Sequence, residues 1–270
     1  MKYAVLTGVS GGMGLATAKK LIDEDYYVFG LDIKKPEEEL DYLDFIKTDL
    51  TDLGSIEKAF KKISKAEVEL DAIISMAGIY DINSLIEISE ENFIKIFDIN
   101  VFSAYRLNKT FVPLLKEGGK VVIVSSELAP LDPLPFTGLY AITKSTVDKY
   151  AYALRMELQL LNKQVVVIRP GAVNTPMIDV STAKIENFSK ITEHYKYNAD
   201  KFLEITNKVE SRKIDPAKIG KLVYKILNKD KPKFVYKINR NPLLVMMHWL
   251  PKKTQTKAIK NILEPKEKKA

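Results

Sequence analysis

Thr7-Gly8-Val9-Ser10-Gly11-Gly12-Met13-Gly14 is the stretch that decides the fold. It follows Tyr3-Ala4-Val5-Leu6, a short apolar run that reads as a buried strand. It precedes Leu15-Ala16-Thr17-Ala18-Lys19-Lys20-Leu21-Ile22, which has helical spacing. Strand, glycine turn and helix in that order form a phosphate cradle: glycines admit a close backbone approach, and the helix N-terminus offers N–H donors. Outward from this turn, strands read at about 3–7, 26–32, 45–48, 70–76, 120–125, 164–169 and 233–238, with helical patterns between them. That alternation predicts an α/β fold, a doubly wound parallel sheet of about seven strands with helices on both faces. Strand C-termini then share one edge, where ligands bind. One domain is expected over 1–240, with a lid at about 176–213 and an extension at 241–270.

The chain has 270 residues and 46% hydrophobic content, enough for a large core. It has no cysteine, so disulfides and thiolate metal sites are excluded. Two histidines, His194 and His248, leave little for a histidine-rich metal site, and no metal is expected. Met1-Lys2 leads straight into a strand without a signal-peptide pattern, so a cytoplasmic location is the expectation. Net charge is +7, and much of the excess lies at the end: Lys252, Lys253, Lys257, Lys260, Lys266, Lys268 and Lys269 against Glu264 and Glu267. A solvated, partly frayed end is the simplest reading of that tail, and no nucleic-acid partner is expected. Leu243, Met246, Met247 and Leu250 follow helical spacing beside these lysines, and Ala258, Ile259, Ile262 and Leu263 continue it. Such a stripe can close a pocket, pack in a subunit interface, or lie peripherally on a membrane. Leu243–Leu250 is too short to span one.

Tyr140 and Lys144 stand four apart in a stretch that reads as helix over 139–161, so phenol and ammonium share one face. A phenol near pKa ~10 is a poor base at neutral pH, and an adjacent cation favours its anion. Moving it to about 7 takes roughly 4 kcal/mol. The strand Lys120-Val121-Val122-Ile123-Val124 brings Ser125-Ser126 to the same edge. Neighbouring strand residues point oppositely, so one of the two serines faces the site. With Thr7 and the G-x-x-x-G-x-G spacing in front, the chain resembles the short-chain dehydrogenase/reductase family, over about 3–175 by motif and to about 240 by layout.

The resemblance implies a Rossmann-type fold and a catalytic set of Ser126, Tyr140, Lys144 and Asn100. Ser126 precedes Tyr140 by fourteen residues where the family has thirteen, so the loop 127–138 is one residue longer. Residues 89–117 read as one long helix opening at Ser89-Glu90-Glu91. The family implies a local break inside it, where the Asn100 backbone holds a water beside Lys144. The nucleotide site is expected from Gly8, Ser10, Gly12, Met13 and Gly14. Asp32, ending the second strand, is placed to accept from an adenosine ribose and to repel a 2′-phosphate, so NAD is favoured, with NADP not excluded. Lys34 and Lys35 stay open as phosphate partners. Asp49 is implied at the adenine amino group and Leu50 on the ring; the other reading makes Asp49 a helix cap, since Thr51 or Asp52 begins a helical pattern. Ser75-Met76-Ala77-Gly78 stands where the family has Asn-Asn-Ala-Gly. Ala77 and Gly78 keep the backbone contacts, while Met76 leaves in doubt a bond that ties the sheet or the ribose. Pro170-Gly171-Ala172-Val173-Asn174-Thr175 matches the family's Pro-Gly-x-x-x-Thr turn, so the Val173 backbone and Thr175 hydroxyl would fix the nicotinamide carboxamide.

The stretch Pro176 to Lys213 is punctuated by Met177, Ile178, Val180, Ile185, Phe188, Ile191, Tyr195, Phe202 and Ile205. In the family such an insertion is a mobile lid over the substrate. These features together imply hydride transfer between a nicotinamide cofactor and a secondary alcohol or ketone, a hydrophobic one such as a steroid, retinoid or lipid. A small polyol or sugar is the other substrate class. A silent dinucleotide-binding sensor is the rival from another class, and the complete Ser126/Tyr140/Lys144 set weighs against it. A homo-dimer or tetramer is the expected assembly.

Overall fold

The structure, a computed structural model, describes residues 1–209 and 213–264. The side chains of Met177, Ile178 and Val180, and the tail residues Lys266, Glu267, Lys268 and Lys269, lie outside what is described. Seven strands form one parallel sheet: β1 (Lys2–Thr7), β2 (Tyr26–Asp32), β3 (Leu43–Lys47), β4 (Leu70–Ser75), β5 (Leu115–Val124), β6 (Gln164–Pro170) and β7 (Val235–Ile238). Their order is β3-β2-β1-β4-β5-β6-β7. The winding direction reverses between β1 and β4, and a crevice opens at such a switch point.

Period-two alternation sends each strand's apolar residues to both faces. Val5, Leu31, Ile73, Val121 and Val165 meet Ile56 and Ile63 of α2 (Leu53–Ser64), Leu107 and Phe111 of α4 (Ser103–Phe111), and Val147 of α5 (Gly138–Leu158). On the other face Leu6, Val28, Ile74, Val122 and Ile168 meet Leu21 of α1 (Gly12–Ile22) and Val223 of α8 (Ala217–Leu227). Both faces are dry, which is why the strands read as nearly continuous apolar runs.

The segment expected as one helix over 89–117 is four helical pieces followed by the start of a strand. α3 (Glu90–Phe97) is capped by Ser89, whose hydroxyl accepts from the Asn92 N–H. A π-helical turn follows over Asp98–Phe102, then α4. A short 3₁₀ turn at Val112–Leu114 ends the helical run, and β5 begins at Leu115 rather than at 120. Asp52 caps α2, through the Gly54 N–H; Asp49 does not.

Two helices, α6 (Pro176–Ile191) and α7 (Lys196–Val209), pack together over the sheet edge. Ile185, Phe188 and Phe202 bury against Ile82, Phe136 and Leu263, whereas Ile191 is exposed. Phe136 reaches this cluster from a left-handed backbone (φ 66°). Glu87 fixes the α6–α7 joint by accepting from the Glu193 and His194 N–H groups and the Thr192 hydroxyl.

The tail differs from the frayed end expected. α9 (Pro242–Trp249) and α10 (Lys252–Leu263) fold back on the body. Asp132 meets His248 Nδ1 (2.9 Å), Gln255 (3.3 Å) and the Lys252 ammonium, and Asn198 donates to the Leu263 carbonyl (2.8 Å). Trp249, Met246 and Leu243 stay exposed on α9. No helix among the described residues is long and apolar enough to cross a membrane.

Candidate active site

The glycine turn is built by steric necessity. Gly8 has φ +73°, which L side chains rarely adopt. A Cβ on Gly14 would lie 1.9 Å from the Gly8 carbonyl oxygen, so α1 can start this close to β1 only without one. Gly14→Ala is expected to destabilise the fold by about 1–3 kcal/mol through this overlap. Thermal denaturation checks it, and an unchanged melting temperature contradicts it. The α1 N-cap, Gly11, brings no side-chain cap, which leaves first-turn N–H groups around Gly12 and Met13 for an anion. A Cβ on Gly12 would lie 2.8 Å from Thr175 Cγ2, so the first turn and the turn after β6 converge. That cradle fits a dinucleotide.

Asp32 ends β2 with Oδ2 accepting from the Ser10 N–H (3.0 Å) and Oδ1 from the Lys34 N–H (3.3 Å). The carboxylate therefore sits beside the glycine turn. Asp49 Oδ1 accepts from the Thr51 N–H (2.8 Å) and hydroxyl (2.7 Å), and the Leu50 carbonyl accepts from Arg106. At Met76 the ends of β1 and β4 are joined by Thr7, whose Oγ1 accepts from the Met76 and Ala77 N–H groups (3.1 and 3.2 Å). Met76 itself is buried in the core against α1, its sulfur 3.7 Å from Thr17 Oγ1. Gly78 leaves room for what lies behind it: a Cβ there would be 3.1 Å from Asn100 Oδ1 and 3.2 Å from Lys144 Nζ.

Asn100 lies inside the π-helical turn. Its Oδ1 accepts from the Ile79 N–H (2.8 Å), and Nδ2 donates to the Ile79 carbonyl (3.0 Å) and to Thr143 Oγ1 (3.2 Å). The side chain thus pins the loop after β4 to α5. Pro170 ends β6, and Gly171 donates its N–H to the Ile238 carbonyl (2.9 Å). Asn239 donates to the Ala172 carbonyl (2.8 Å), and Val173 makes a one-residue bridge to Ile214.

Tyr140 and Lys144 occupy the first turns of α5, both buried, with Nζ 5.7 Å from the phenol ring centroid. Ser125 and Ser126 lie beyond β5, which ends at Val124, so strand alternation does not choose between them. Their hydrogen bonds differ. Ser125 donates to the Lys144 carbonyl (3.2 Å), whereas the Ser126 hydroxyl accepts from the Leu128 N–H (3.1 Å) and hydrogen bonds to Tyr140.

The electrostatics reverse the sign expected from the sequence. Burial pushes the Tyr140 phenol up to about 12, and the bond to Ser126 opposes this. Burial also brings Lys144 down to about 8, with the Asp148 carboxylate opposing. Asp148 is itself tied to Arg169, 2.7 Å from Nε. In a dry site each charge is disfavoured separately, and that exceeds what the pair gains by proximity. The resting site holds a protonated phenol beside an ammonium that titrates near neutrality.

These groups line a cavity of about 250 Å³. Its lining includes Met13, Gly78, Val173 and Thr175, together with Tyr80, Leu128, Leu134, Phe202, Ile205 and Leu244. The Tyr80 and Tyr140 rings meet edge to face at 4.6 Å. Sequence reasoning did not single out Tyr80, Leu244 or Glu127 as lining residues. For Glu127 the signal was present: a carboxylate immediately after Ser126, at the end of an otherwise apolar strand.

A profile of the short chain dehydrogenases matches residues 2–186. The 3-ketodihydrosphingosine reductase of Bacteroides thetaiotaomicron is 28% identical over 258 residues, 92% of this chain and 92% of that one. The NADPH-dependent 3-dehydrocapnine reductase of Ornithobacterium rhinotracheale is 32% identical over 190 residues, 65% of this chain and 66% of that one. A short chain dehydrogenase family protein from Francisella tularensis superposes with a TM-score of 0.75 at 25% identity, covering 88% of this chain and 96% of that one.

Proposed function

Since this chain belongs to the short chain dehydrogenases, a family of oxidoreductases, we propose that it reduces the keto group of a long-chain, lipid-like ketone with a nicotinamide cofactor. The observation that carries this reading is the meeting of Ser126, a protonated Tyr140 and Lys144 on the wall of a cavity whose lining is otherwise largely apolar. The relative from B. thetaiotaomicron is named for a long-chain 3-keto compound, which favours a lipid over a small polyol.

The glycine turn, Ala77, Gly78 and the Pro170–Thr175 turn would hold a nicotinamide dinucleotide, which would supply the hydride. Tyr140 is the acid: its hydroxyl gives a proton to the carbonyl oxygen. Ser126 accepts from the Leu128 N–H through its oxygen, and its hydrogen, held by Tyr140 while the site is empty, turns to the substrate oxygen when the ketone binds. The Lys144 ammonium stabilises the phenolate left behind. With the charge taken at the ring centroid, 5.7 Å from Nζ, and an effective dielectric of ~20, that attraction is about 3 kcal/mol. Asn100 holds the loop around Gly78 in place, and its backbone carbonyl is the proposed anchor of a relay water. The lid and Leu244 exclude bulk water.

Asp32 supports NAD as the cofactor. A carboxylate beside the adenosine ribose site disfavours a 2′-phosphate, for which about a 10- to 100-fold preference is expected. Absorbance at 340 nm, followed with NADH and NADPH over 3-ketones of graded chain length, tests both parts. Turnover should rise with chain length and favour NADH, and Asp32→Ser should narrow the cofactor ratio. Faster reduction of short polyol-derived ketones would contradict the substrate reading. A preference for NADPH would contradict the role of Asp32.

A further inference from the structure

The wall of the apolar cavity carries a carboxylate that proton transfer does not use. Glu127 follows Ser126 directly and is held by its own N–H, which donates to the Pro170 carbonyl (2.8 Å). Oε2 accepts from the Asn241 N–H at 2.6 Å. Oε1 stands over Gly171, 2.9 Å from where a Cβ would be, and no hydrogen bond to it occurs among the described residues. Burial pushes the Glu127 carboxyl up; the Asn241 N–H and the charge of Arg240 pull it the other way. No ion pair to Glu127 forms among the described residues. Leu128, Leu134 and Leu244 on the same cavity cannot answer a charge, and Lys144, a cation that also lines it, forms no ion pair with Glu127 among the described residues. A desolvated carboxylate with one oxygen open is stabilised by a cation, and the residue beside it holds the reacting carbonyl.

We propose that Glu127 is the recognition site for an ammonium group on the carbon next to the reacting carbonyl, so that the chain selects long-chain 2-amino ketones over unsubstituted ketones. This rests on the ketone-reductase reading and narrows its substrate class. With the carbonyl oxygen at Ser126 and Tyr140, a substituent on the adjoining carbon falls next to Glu127. The alkyl chain then runs toward Leu134, Phe202 and Leu244. 3-Ketodihydrosphingosine, for which the B. thetaiotaomicron relative is named, has this amino-ketone arrangement.

The test compares wild type and Glu127→Gln on two substrates, a long-chain 2-amino-3-ketone and the 3-ketone of equal length without the amine. Glutamine keeps an oxygen for the Asn241 N–H, so the tail stays anchored. Wild type should favour the amino ketone by about 30-fold or more in kcat/KM, as expected when a desolvated charge pair is made. Glu127→Gln should lose most of that preference and keep its rate on the plain ketone within a few-fold. An equal loss on both substrates would reduce Glu127 to an anchor for Asn241 and overturn the proposal. So would a wild type that reduces both equally, or only the plain ketone, though the reductase reading would stand. If neither ketone is reduced, the reductase reading fails. Binding of a saturated long-chain amine still decides the ammonium site: weaker binding to Glu127→Gln supports it, and equal binding to both proteins overturns it.

Discussion

Tyr140→Phe is expected to lower kcat/KM for ketone reduction by roughly 10³-fold, within the range for a lost general acid. The substitution removes one oxygen, and the ring keeps its edge-to-face contact with Tyr80. Burial holds the phenol protonated, up to about 12, so at neutral pH every molecule carries the proton that the reaction consumes. No other group at Ser126 replaces it, because a serine hydroxyl left as an alkoxide in that dry site is far less stable than a phenolate. Binding of NADH, followed by fluorescence, should change little, because the glycine turn and the Pro170–Thr175 turn are untouched. Turnover within a few-fold of wild type would remove Tyr140 from the chemistry. Loss of cofactor binding in parallel would show that the residue acts on the fold instead.

Lys144→Met has two expected effects of opposite benefit. Turnover should fall by about 10²-fold or more, because the ammonium no longer supports the phenolate formed at Tyr140. Stability should rise. Lys144 titrates at about 8 in the folded chain against an ordinary 10.5, so burying its charge costs roughly 3 kcal/mol below pH 8. The unfolded chain holds the extra proton between pH 8 and 10.5. Wild-type stability therefore gains from this residue's deprotonation as pH rises through that window. The variant's advantage should be largest at pH 7 and fade toward pH 10.5. Urea unfolding at pH 7 and pH 10 measures this. A variant less stable than wild type at pH 7 would mean that packing around Nζ, not its charge, governs the site.

Local order made the framework readable. The glycine turn after Tyr3–Leu6 and the apolar strands that follow announce a parallel sheet, because both its faces are covered. The four-residue spacing of Tyr140 and Lys144 puts them on one face wherever the helix lies. What escaped depends on depth or on distance along the chain. The π-helical turn at Asp98–Phe102 inserts one residue without disturbing the apolar pattern, so periodicity ran through it, and the break at Asn100 was expected from the family resemblance alone. The helix was expected to run to 117 and the strand to begin at 120, yet β5 starts at Leu115 and passes through Gly118 and Gly119, Gly118 at φ 71°. The tail looked solvated because Asp132 and Glu127 find His248 and Asn241 more than a hundred residues away. Above all, spacing could not give the depth of the pair. Proximity to a cation predicted a phenol that loses its proton readily, while full burial yields one that keeps it.

The central claim is that Tyr140 works as a protonated acid beside a lysine poised near neutrality. The pH dependence of kcat/KM for ketone reduction by the wild-type chain tests it most directly. The expected profile is flat between about pH 6 and 7 and falls above about 8 as Lys144 loses its proton. A rate that climbs through the same window would mean that the deprotonated form of the pair is the active one, and would contradict the account.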